Sequence, residues 1–361
     1  MKSVTSILQT LVIVLNSLAA IILLVCAYSQ TIHPEDFPSC SYLGMLLPAA
    51  ALTVMAFIPL WLVFKKRFSL ISIGTLLACY PPLRDYCPVN LFQSEPTGET
   101  LKVLSYNTHG FGCDNIGQIQ FLLNADADIV CLQETYNMSD DNIRNTFADT
   151  YPYIATSNKN QCTLVVMSKL PIVGVHEVSF SHSFNGSCIF DLLTDKGDTI
   201  VVINNHLESY KLSADDKDAY AEMVRGVTGD EEFSDTLSNG VDWTDMFFSL
   251  TDKLEKANVI RSHQADSLAT IIDNLTAPYV LVCGDFNDSP TSYVHHTLTR
   301  RLDDAFTESG NGPGISFNSN LMYFRIDNIL ISKNITPYNA KVDDSVKESD
   351  HYPIFCTLEL H

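Results

Sequence analysis

Six short segments of this chain place oxygen- and nitrogen-bearing side chains at the borders of apolar runs. They contain Asn107, Gln133-Glu134, Asn204-Asn205-His206, Gly284-Asp285-Phe286-Asn287, Arg325-Ile326-Asp327 and Ser349-Asp350-His351. Carboxylate and amide oxygens suit Mg²⁺ or Mn²⁺ better than Zn²⁺, and the segments also contain two imidazoles. A single Asn or Asp after a strand is usually a turn residue, so these segments indicate a site only if the fold brings them together.

The elements that would position these side chains are short apolar runs, each followed by polar residues. The predicted strands are Leu101–Tyr106, Asp128–Leu132, Thr163–Met167, Ile200–Ile203, Tyr279–Cys283, Ile326–Ile331 and Ile354–Leu360. Helical patterns cover Ile116–Asn124, Asp140–Phe147 and Leu254–Leu275. Nearly continuous Val, Ile and Leu is typical of strands covered on both faces, which predicts an α/β or α+β domain with its sheets inside helices.

Together the segments resemble the metal-dependent endonuclease/exonuclease/phosphatase superfamily, which includes pancreatic deoxyribonuclease, abasic-site endonucleases, neutral sphingomyelinases and inositol polyphosphate 5-phosphatases. The resemblance rests on Leu104–Thr108, Asp128–Glu134, Met167–Ile172, Asn205–Leu207, Gly284–Asn287 with Arg325–Asp327, and Ser349–Pro353, in the order of the family. It covers residues 101–361. It implies a four-layer α/β/β/α sandwich with the active site at one edge of the sheets.

The same resemblance implies a metal centre. Glu134 would be the principal Mg²⁺ ligand, with Asn107 and Asp350 beside it directly or through water. Mn²⁺ is the alternative ion, and whether one or two ions act stays open.

The resemblance also implies the catalytic groups. Asp285 would orient or deprotonate the attacking water, and Asn287 would hold that water or a phosphate oxygen. His351 would bind the scissile phosphate, Asp327 would fix the tautomer of His351, and His206 would donate to another phosphate oxygen. Phosphoester hydrolysis depends mainly on positioning and charge stabilisation, which such a set of groups supplies.

Residues 1–95 form an apolar head that predicts a membrane anchor ahead of a catalytic domain over residues 96–361. The uncharged runs Ser6–Tyr28 and Tyr42–Phe64 each have 23 residues, and about 20 residues cross the hydrocarbon core of a bilayer. A third run, Phe68–Leu83, is shorter and ends in Pro81-Pro82. Two or three transmembrane helices are therefore expected, at about 6–28, 42–64 and 68–83.

The basic residues of the head predict its orientation. Lys65-Lys66-Arg67 separates the second and third runs, whereas the loop Gln30–Ser41 has no Lys or Arg. The positive-inside rule then places Lys65–Arg67 in the cytoplasm. With three spans, which we favour, the catalytic domain lies outside the cytoplasm (periplasmic or extracellular); with two spans it is cytoplasmic.

The net charge of the predicted catalytic domain limits the classes of substrate that it can bind. The head holds five of the 22 basic and four of the 42 acidic residues, so residues 96–361 carry 17 basic and 38 acidic residues, a net charge of −21. A surface that binds duplex DNA needs the opposite sign. The leading hypothesis is a membrane-anchored phosphodiesterase or phosphatase acting on a lipid or small phosphoester. The alternatives are a nuclease of the same fold acting on DNA or RNA and a non-catalytic binding scaffold.

The acidic stretch Glu208–Asn258 follows His206 closely and is expected to form a surface excursion, either as one wall of the cleft or as a solvated loop without a role. Arg261 and Gln264 on the following helix are within possible reach of substrate, although ordinary packing is the favoured interpretation.

Overall fold

The computed structural model describes residues 2–361 apart from residues 112–114, 158–162, 182, 214, 219, 222–242 and 320. The N-terminal region contains the helices α1 Lys2–Tyr28, α2 Leu47–Phe64, α3 Ser69–Ala78 and α4 Tyr80–Tyr86. Two helical stretches, Ile7–Thr31 and Pro38–Phe64, are long and apolar enough to cross a membrane, by length and composition only.

These helices pack around a small apolar seam that includes Leu23, Leu47 and Val54. Within it the Ser72 hydroxyl donates to Asn16 Oδ1 at 3.0 Å, which satisfies two polar groups between helices. The third apolar run differs from the single segment that the sequence predicts, because the helix breaks at Cys79 between α3 and α4. Pro81 and Pro82 follow the break, since proline is tolerated in the first turn of a helix but not in its interior.

Residues 96–361 form two six-stranded sheets and a small hairpin. The strands are β1 Thr100–Asn107, β2 Ile129–Gln133, β3 Tyr153–Ser157, β4 Leu164–Ser168, β5 Ile172–Val178, β6 Gly186–Leu193, β7 Thr199–His206, β8 Tyr279–Asp285, β9 Asp303–Asp304, β10 Phe317–Ser319, β11 Met322–Phe324, β12 Asp327–Ile331, β13 Ile335–Val342 and β14 Ile354–Leu360. The helices are α5 Ile116–Asn124, α6 Asp140–Phe147, α7 Trp243–Asn274, α8 Tyr293–Thr299 and α9 Ala305–Ser309.

The strand order is β13-β14-β1-β2-β4-β3 in the first sheet and β5-β6-β7-β8-β12-β9 in the second, and the hairpin is β10-β11. β1 and β2 are parallel, as are β7 and β8, whereas β12 is antiparallel to β8. The two parallel pairs give each sheet a centre at which neighbouring strands end side by side.

The sheets pack face to face with helices on both outer faces. In β1, Val103 belongs to the core between the sheets, while the next residue, Leu104, belongs to the core under α5 and α6. Successive side chains of a strand point to opposite faces, so nearly continuous apolar strands fill both cores. A third core joins the second sheet to α7 through Leu268 and to α8 through Leu298. The fold is therefore the α/β/β/α sandwich that the sequence predicts.

The predicted elements agree with the structure where hydrophobicity is strong. Helices α5 and α6 and strand β14 have the predicted bounds, and the other six predicted strands are present with ends shifted by one to three residues. Helix α7 begins at Trp243 rather than at Leu254. The sequence interpretation missed β3, β5, β6, β13 and the short strands β9, β10 and β11.

The N-terminal helices are joined to the sandwich by polar contacts from the connection between α1 and α2. His33 Nε2 lies 3.1 Å from Asp266 Oδ2 on α7. Thr291 Oγ1 donates to the Gly44 carbonyl at 3.1 Å. A Cβ on Gly44 would lie 2.3 Å from the Thr291 carbonyl oxygen, so only glycine permits this close approach.

A second group of contacts comes from the chain around α4. Arg84 donates to both carboxylate oxygens of Glu308 at 2.8 and 2.9 Å. The Asn90 side chain donates to the backbone carbonyls of Thr307 and Gly310. The sandwich is thus held to the N-terminal helices at two separate places.

Candidate active site

The strand register places four of the predicted site residues at one edge of the sheets. Asn107 ends β1, His206 ends β7 and Asp285 ends β8, while Asp327 begins the antiparallel strand β12. His206 and Asp327 are both direct neighbours of Asp285 in the sheet. Each side chain is therefore fixed by a ladder of backbone hydrogen bonds rather than by a free loop.

Gly284 lets two strands approach closely just before Asp285. Its φ is +126°, and a Cβ there would lie 2.1 Å from the Asn205 carbonyl oxygen. Glycine adopts this backbone conformation without the steric cost that other residues meet. The glycine thus fixes the position from which Asp285 leaves the strand.

Glu134 stands directly after β2 with a left-handed backbone, φ +53°. Its Oε1 accepts a hydrogen bond from Asn107 Nδ2 at 3.0 Å and lies 3.4 Å from His206 Nε2. Burial opposes ionisation of Glu134, but His206 and the Asn107 hydrogen bond outweigh it and lower the pKa of the carboxyl below its ordinary value. Glu134 is therefore an ionised carboxylate.

Asp285 is 1% exposed and lies at the centre of the cluster. Its Oδ2 accepts from Asn107 Nδ2 at 3.1 Å, and its Oδ1 accepts from the backbone N–H of Asn287 at 2.7 Å. Asn287 reaches this position with a left-handed backbone, φ +52°. Burial, reinforced by the nearby charge of Asp327, raises the pKa of Asp285 to about 6. A carboxylate of this basicity can take a proton from water near neutral pH.

His351 and Asp327 form a buried pair, with Nδ1 of the imidazole 2.8 Å from Oδ2 of the carboxylate. The Asp327 backbone N–H donates to Ser316 Oγ at 3.0 Å. Burial lowers the basicity of His351, but Asp327 and Asp285 outweigh it and raise the pKa of His351 to about 10. The Nε2 atom lies 3.7 Å from Asp285 Oδ2, so a proton-bearing nitrogen faces the cluster.

Asp350 and His109 complete the edge on the side of Glu134. His109 Nδ1 lies 3.4 Å from Asp350 Oδ1 and 3.7 Å from Glu134 Oε2, and its backbone N–H donates to Asn107 Oδ1. The sequence interpretation missed His109. The available signal was its position, because His109 lies two residues after Asn107, a proposed metal ligand.

A cavity of about 280 Å³ opens over these groups. Glu134, His206, Asp285, Asn287, Asp350 and His351 line it, whereas Asn107 and Asp327 are fully buried behind them. The structure thus brings all eight predicted residues to one place. The described parts of the 208–258 excursion form one wall, which is one of the two alternatives that the sequence left open. Residues 222–242 of that stretch lie outside the described residues.

Arg261 and Gln264 hold the chain that follows His206 rather than reaching the cavity. Arg261 is 0% exposed, stacks on the Tyr210 ring at 4.1 Å and bonds to the Glu208 carbonyl. Gln264 Oε1 accepts from the Glu208 backbone N–H at 2.9 Å. This agrees with the packing role that the sequence interpretation favoured.

The donor set fits a hard divalent cation. Ligand atoms of Glu134, His206 and Asp285 lie within 4.8 Å of one another, as do those of Asp285, Asp327 and His351. Asp350 Oδ1 is buried without a hydrogen-bond partner, although it faces His109. The close carboxylates of Glu134 and Asp285 favour a positive charge between them, which a cation such as Mg²⁺ would supply.

Two known protein families match parts of this chain. The profile of the family described as the endonuclease/exonuclease/phosphatase family matches residues 104–351, and a family described as a domain of unknown function matches residues 9–86. No curated protein matches the chain.

Several solved structures resemble the chain at low identity. An endonuclease/exonuclease/phosphatase from Bacteroides vulgatus is 12% identical, with a TM-score of 0.49 over 73% of this chain and all of that one. The human Nocturnin catalytic domain with bound sulfate is 16% identical, with a TM-score of 0.48 over 73% of this chain and 94% of that one. Sphingomyelinase C from Streptomyces griseocarneus is 18% identical, with a TM-score of 0.47 over 72% of this chain and 99% of that one.

Proposed function

The chain belongs to the endonuclease/exonuclease/phosphatase family, and we propose that it is a membrane-anchored, divalent-metal-dependent hydrolase of phosphoester bonds. One observation carries the proposal: Glu134, Asp285 and His351, which are far apart in sequence, meet at one sheet edge beside a cavity. Turn residues placed for local reasons would have no cause to converge there.

Glu134 and Asp350 would hold the metal ion, with Asn107 beside them. The Asn107 amide would orient the carboxylates, since its Nδ2 donates to Glu134 Oε1 and Asp285 Oδ2 while its Oδ1 accepts from the His109 backbone N–H. When bound, a divalent ion stabilises negative charge on the phosphoryl oxygens and increases the acidity of water. Mg²⁺ is the ion we expect from the oxygen-rich set.

The hydrolytic step follows from the remaining side chains. Asp285 accepts a proton from a water molecule while the water oxygen forms a bond to phosphorus and the bond to the leaving oxygen breaks. Asn287, whose backbone binds Asp285, would hold that water or a phosphoryl oxygen. His351 donates through Nε2 to the phosphoryl group, since Nδ1 is engaged by Asp327. His206 supplies a second donor from the neighbouring strand end.

Anchoring is supported by the surface of the N-terminal helices. Their apolar side chains face outward, with Ile7 67%, Val63 79% and Leu70 68% exposed. A soluble protein rarely leaves so continuous an apolar surface in water. A bilayer would cover it.

The proposed orientation of the chain in the membrane is supported by the end of the helical bundle that contacts the sandwich. The connection between α1 and α2 contacts α7 and Thr291, whereas the turn Lys66–Phe68 contacts α2 and α3. If α1, α2 and the α3–α4 pair all span, Lys65–Arg67 lies on the side opposite the sandwich. The positive-inside rule then puts the catalytic domain outside the cytoplasm.

The test is hydrolysis by the full chain in detergent micelles, with Mg²⁺ or with a chelator. Substrates are bis-p-nitrophenyl phosphate, p-nitrophenyl phosphate, a plasmid and a short RNA. Glu134→Gln and His351→Ala should abolish turnover, and His176→Ala is the matched control because that imidazole, on the distant strand β5, pairs with Asp191. Turnover lost only in the site variants supports the proposal; preference for plasmid or RNA would favour the nuclease alternative. A folded chain inactive on every ester would favour a scaffold.

A further inference from the structure

The cavity over the site is lined by two chemically different sets of side chains. Glu134, Asp285 and His351 belong to the polar set, and the other set is apolar. The apolar wall draws on separate parts of the chain: Leu250 and Leu254 of α7, and Met322 and Phe324 of the hairpin β10–β11. These side chains offer no strong hydrogen-bonding group with which to read a base or a sugar.

Met45 brings the proposed membrane anchor into the same cavity. It lies within the apolar stretch Pro38–Phe64, directly before α2. The neighbouring Gly44 carbonyl accepts the Thr291 hydroxyl, and Thr291 lies six residues beyond Asp285. One short loop therefore joins the catalytic edge to the contact with the proposed membrane-spanning segment.

A lysine lies among the polar side chains that line the cavity. Lys217 Nζ is 4.0 Å from Asp350 Oδ2 and 5.8 Å from the centre of the Phe317 ring. It adds a positive charge where an anionic ester would be bound. The cavity thus combines cationic and proposed metal-binding groups with an apolar wall to which Met45 of the N-terminal helices contributes.

We propose that the substrate is an amphiphilic phosphoester of the bilayer, whose phosphate lies at Glu134 and His351 and whose hydrocarbon tail lies between α7, the β10–β11 hairpin and Met45. This rests on the proposed function. The apolar wall keeps the hydrocarbon tail out of water when the ester leaves the bilayer for the site, whereas a soluble ester would leave that wall without an apolar partner. The anchor is then part of the substrate site as well as a tether.

The experiment compares diesters that share one leaving group: methyl p-nitrophenyl phosphate, dodecyl p-nitrophenyl phosphate and thymidine 5′-p-nitrophenyl phosphate. The full chain is assayed with Mg²⁺ at one fixed micelle composition. We expect kcat/KM for the dodecyl ester to exceed that for the methyl ester by about 100-fold or more, because the dodecyl ester shares the micelle with the chain and its tail contacts the apolar wall. The part of this ratio that is due to the wall is the part that the wall variants lose. The nucleoside ester should resemble the methyl ester.

Variants test the apolar wall itself. Leu254→Gln and Met45→Gln should each reduce the dodecyl-to-methyl ratio about tenfold, the usual effect of changing one apolar contact in a pocket. Phe248→Gln is the matched control, because Phe248 is on the same helix and 63% exposed; it should leave the ratio unchanged. Melting temperatures report folding, and Met45→Gln, outside the sandwich, keeps the test informative if Leu254→Gln does not fold.

The two proposals fail differently. If the wild-type chain hydrolyses all three esters with similar kcat/KM, and neither wall variant changes the ratio, the lipid assignment is wrong while the hydrolase stands. A higher kcat/KM for the thymidine ester than for the dodecyl ester would indicate that the substrate is a nucleotide ester rather than a lipid. Absence of hydrolysis of every ester would overturn the proposed function and this inference with it.

Discussion

Asp327 begins β12 directly opposite Asp285 in the sheet and accepts a hydrogen bond from Nδ1 of His351 at 2.8 Å. This pairing joins the residue that would take a proton from water to the residue that would donate to phosphate. The carboxylate fixes which imidazole nitrogen faces the cavity.

Replacement of Asp327 should therefore act through His351. Asp327→Asn removes the negative charge and allows the imidazole to adopt the other tautomer, so kcat should fall about 100-fold, as when one donor to a developing oxyanion is lost. KM should change less. The measurement is steady-state kinetics with a melting temperature for each protein.

Asp191→Asn is the control for this change, because Asp191 pairs with His176 at 3.2 Å on the surface. It should leave kcat within about twofold. Equal losses in the two variants would show that Asp327 is only structural.

Metal binding should depend on Glu134 and Asp350. Mg²⁺ should raise the melting temperature of the wild-type chain, because a ligand that binds only the folded state stabilises it. Glu134→Gln and Asp350→Asn should weaken binding of Mg²⁺ at least about tenfold, measured by calorimetry. Unchanged affinity for Mg²⁺ in both variants would show that the metal binds elsewhere. Asp140→Asn is the control, because the Asp140 carboxylate accepts a hydrogen bond from Thr156 away from the site.

Stability in acid should depend on Asp304, which is 4% exposed. It accepts from Arg325 at 3.1 Å, lies 3.1 Å from His295 and caps α9 through the Phe306 backbone N–H. Burial opposes ionisation of Asp304, but Arg325 and His295 outweigh it and lower its pKa. Because the unfolded chain takes up this proton first, near the ordinary pKa of about 3.9, the stabilisation is present at neutral pH and is lost as the pH falls below about 5.

Asp304→Asn should accordingly lower the free energy of unfolding at pH 7 by about 3 kcal/mol, the usual cost of breaking a buried ion pair. The difference from wild type should shrink between about pH 5 and pH 3. Thermal melts of the full chain at several pH values measure it. Asp273→Asn is the control, since Asp273 pairs with Arg301 at the surface and exposed pairs contribute little; equal effects would contradict the assignment.

The orientation of the chain can be tested with reporter fusions. Alkaline phosphatase, which is active only outside the cytoplasm, should be active when fused after His361 and inactive when fused after Lys66. Green fluorescent protein fusions should give the reverse pattern. Activity of the phosphatase at both positions or at neither would show that the α3–α4 pair does not cross, which would place the catalytic domain on the side of Lys66.

Much of the sandwich was predictable because its strands are strongly apolar and end in polar residues. Strand β14, with the residues IFCTLEL, and helix α5 have their predicted bounds for that reason. The convergence of Asp285, Asp327 and His351 followed from the resemblance to a family, since pattern alone does not say which strands are neighbours.

The strands that the sequence interpretation missed lack this contrast between an apolar run and the polar residues that follow it. In β5 most side chains are exposed or half-buried, because it is an edge strand of the second sheet, and β6 begins with Gly186 and Ser187. Strand β13 contains Pro337, which tolerates its position because β13 is the edge of the first sheet. Docking of the N-terminal helices was also beyond sequence patterns: the Gly44–Thr291 and Arg84–Glu308 contacts join residues more than 200 positions apart.

Those two contacts have a kinetic consequence. Because the sandwich is held at both places, the opening of the cavity keeps one orientation relative to the N-terminal helices. If those helices span a bilayer and the substrate is a lipid, as proposed, the chain would encounter its substrate by lateral diffusion, in two dimensions. Its rate would depend on the number of substrate molecules per unit area of its own membrane, and vesicles without the protein would keep their lipid intact.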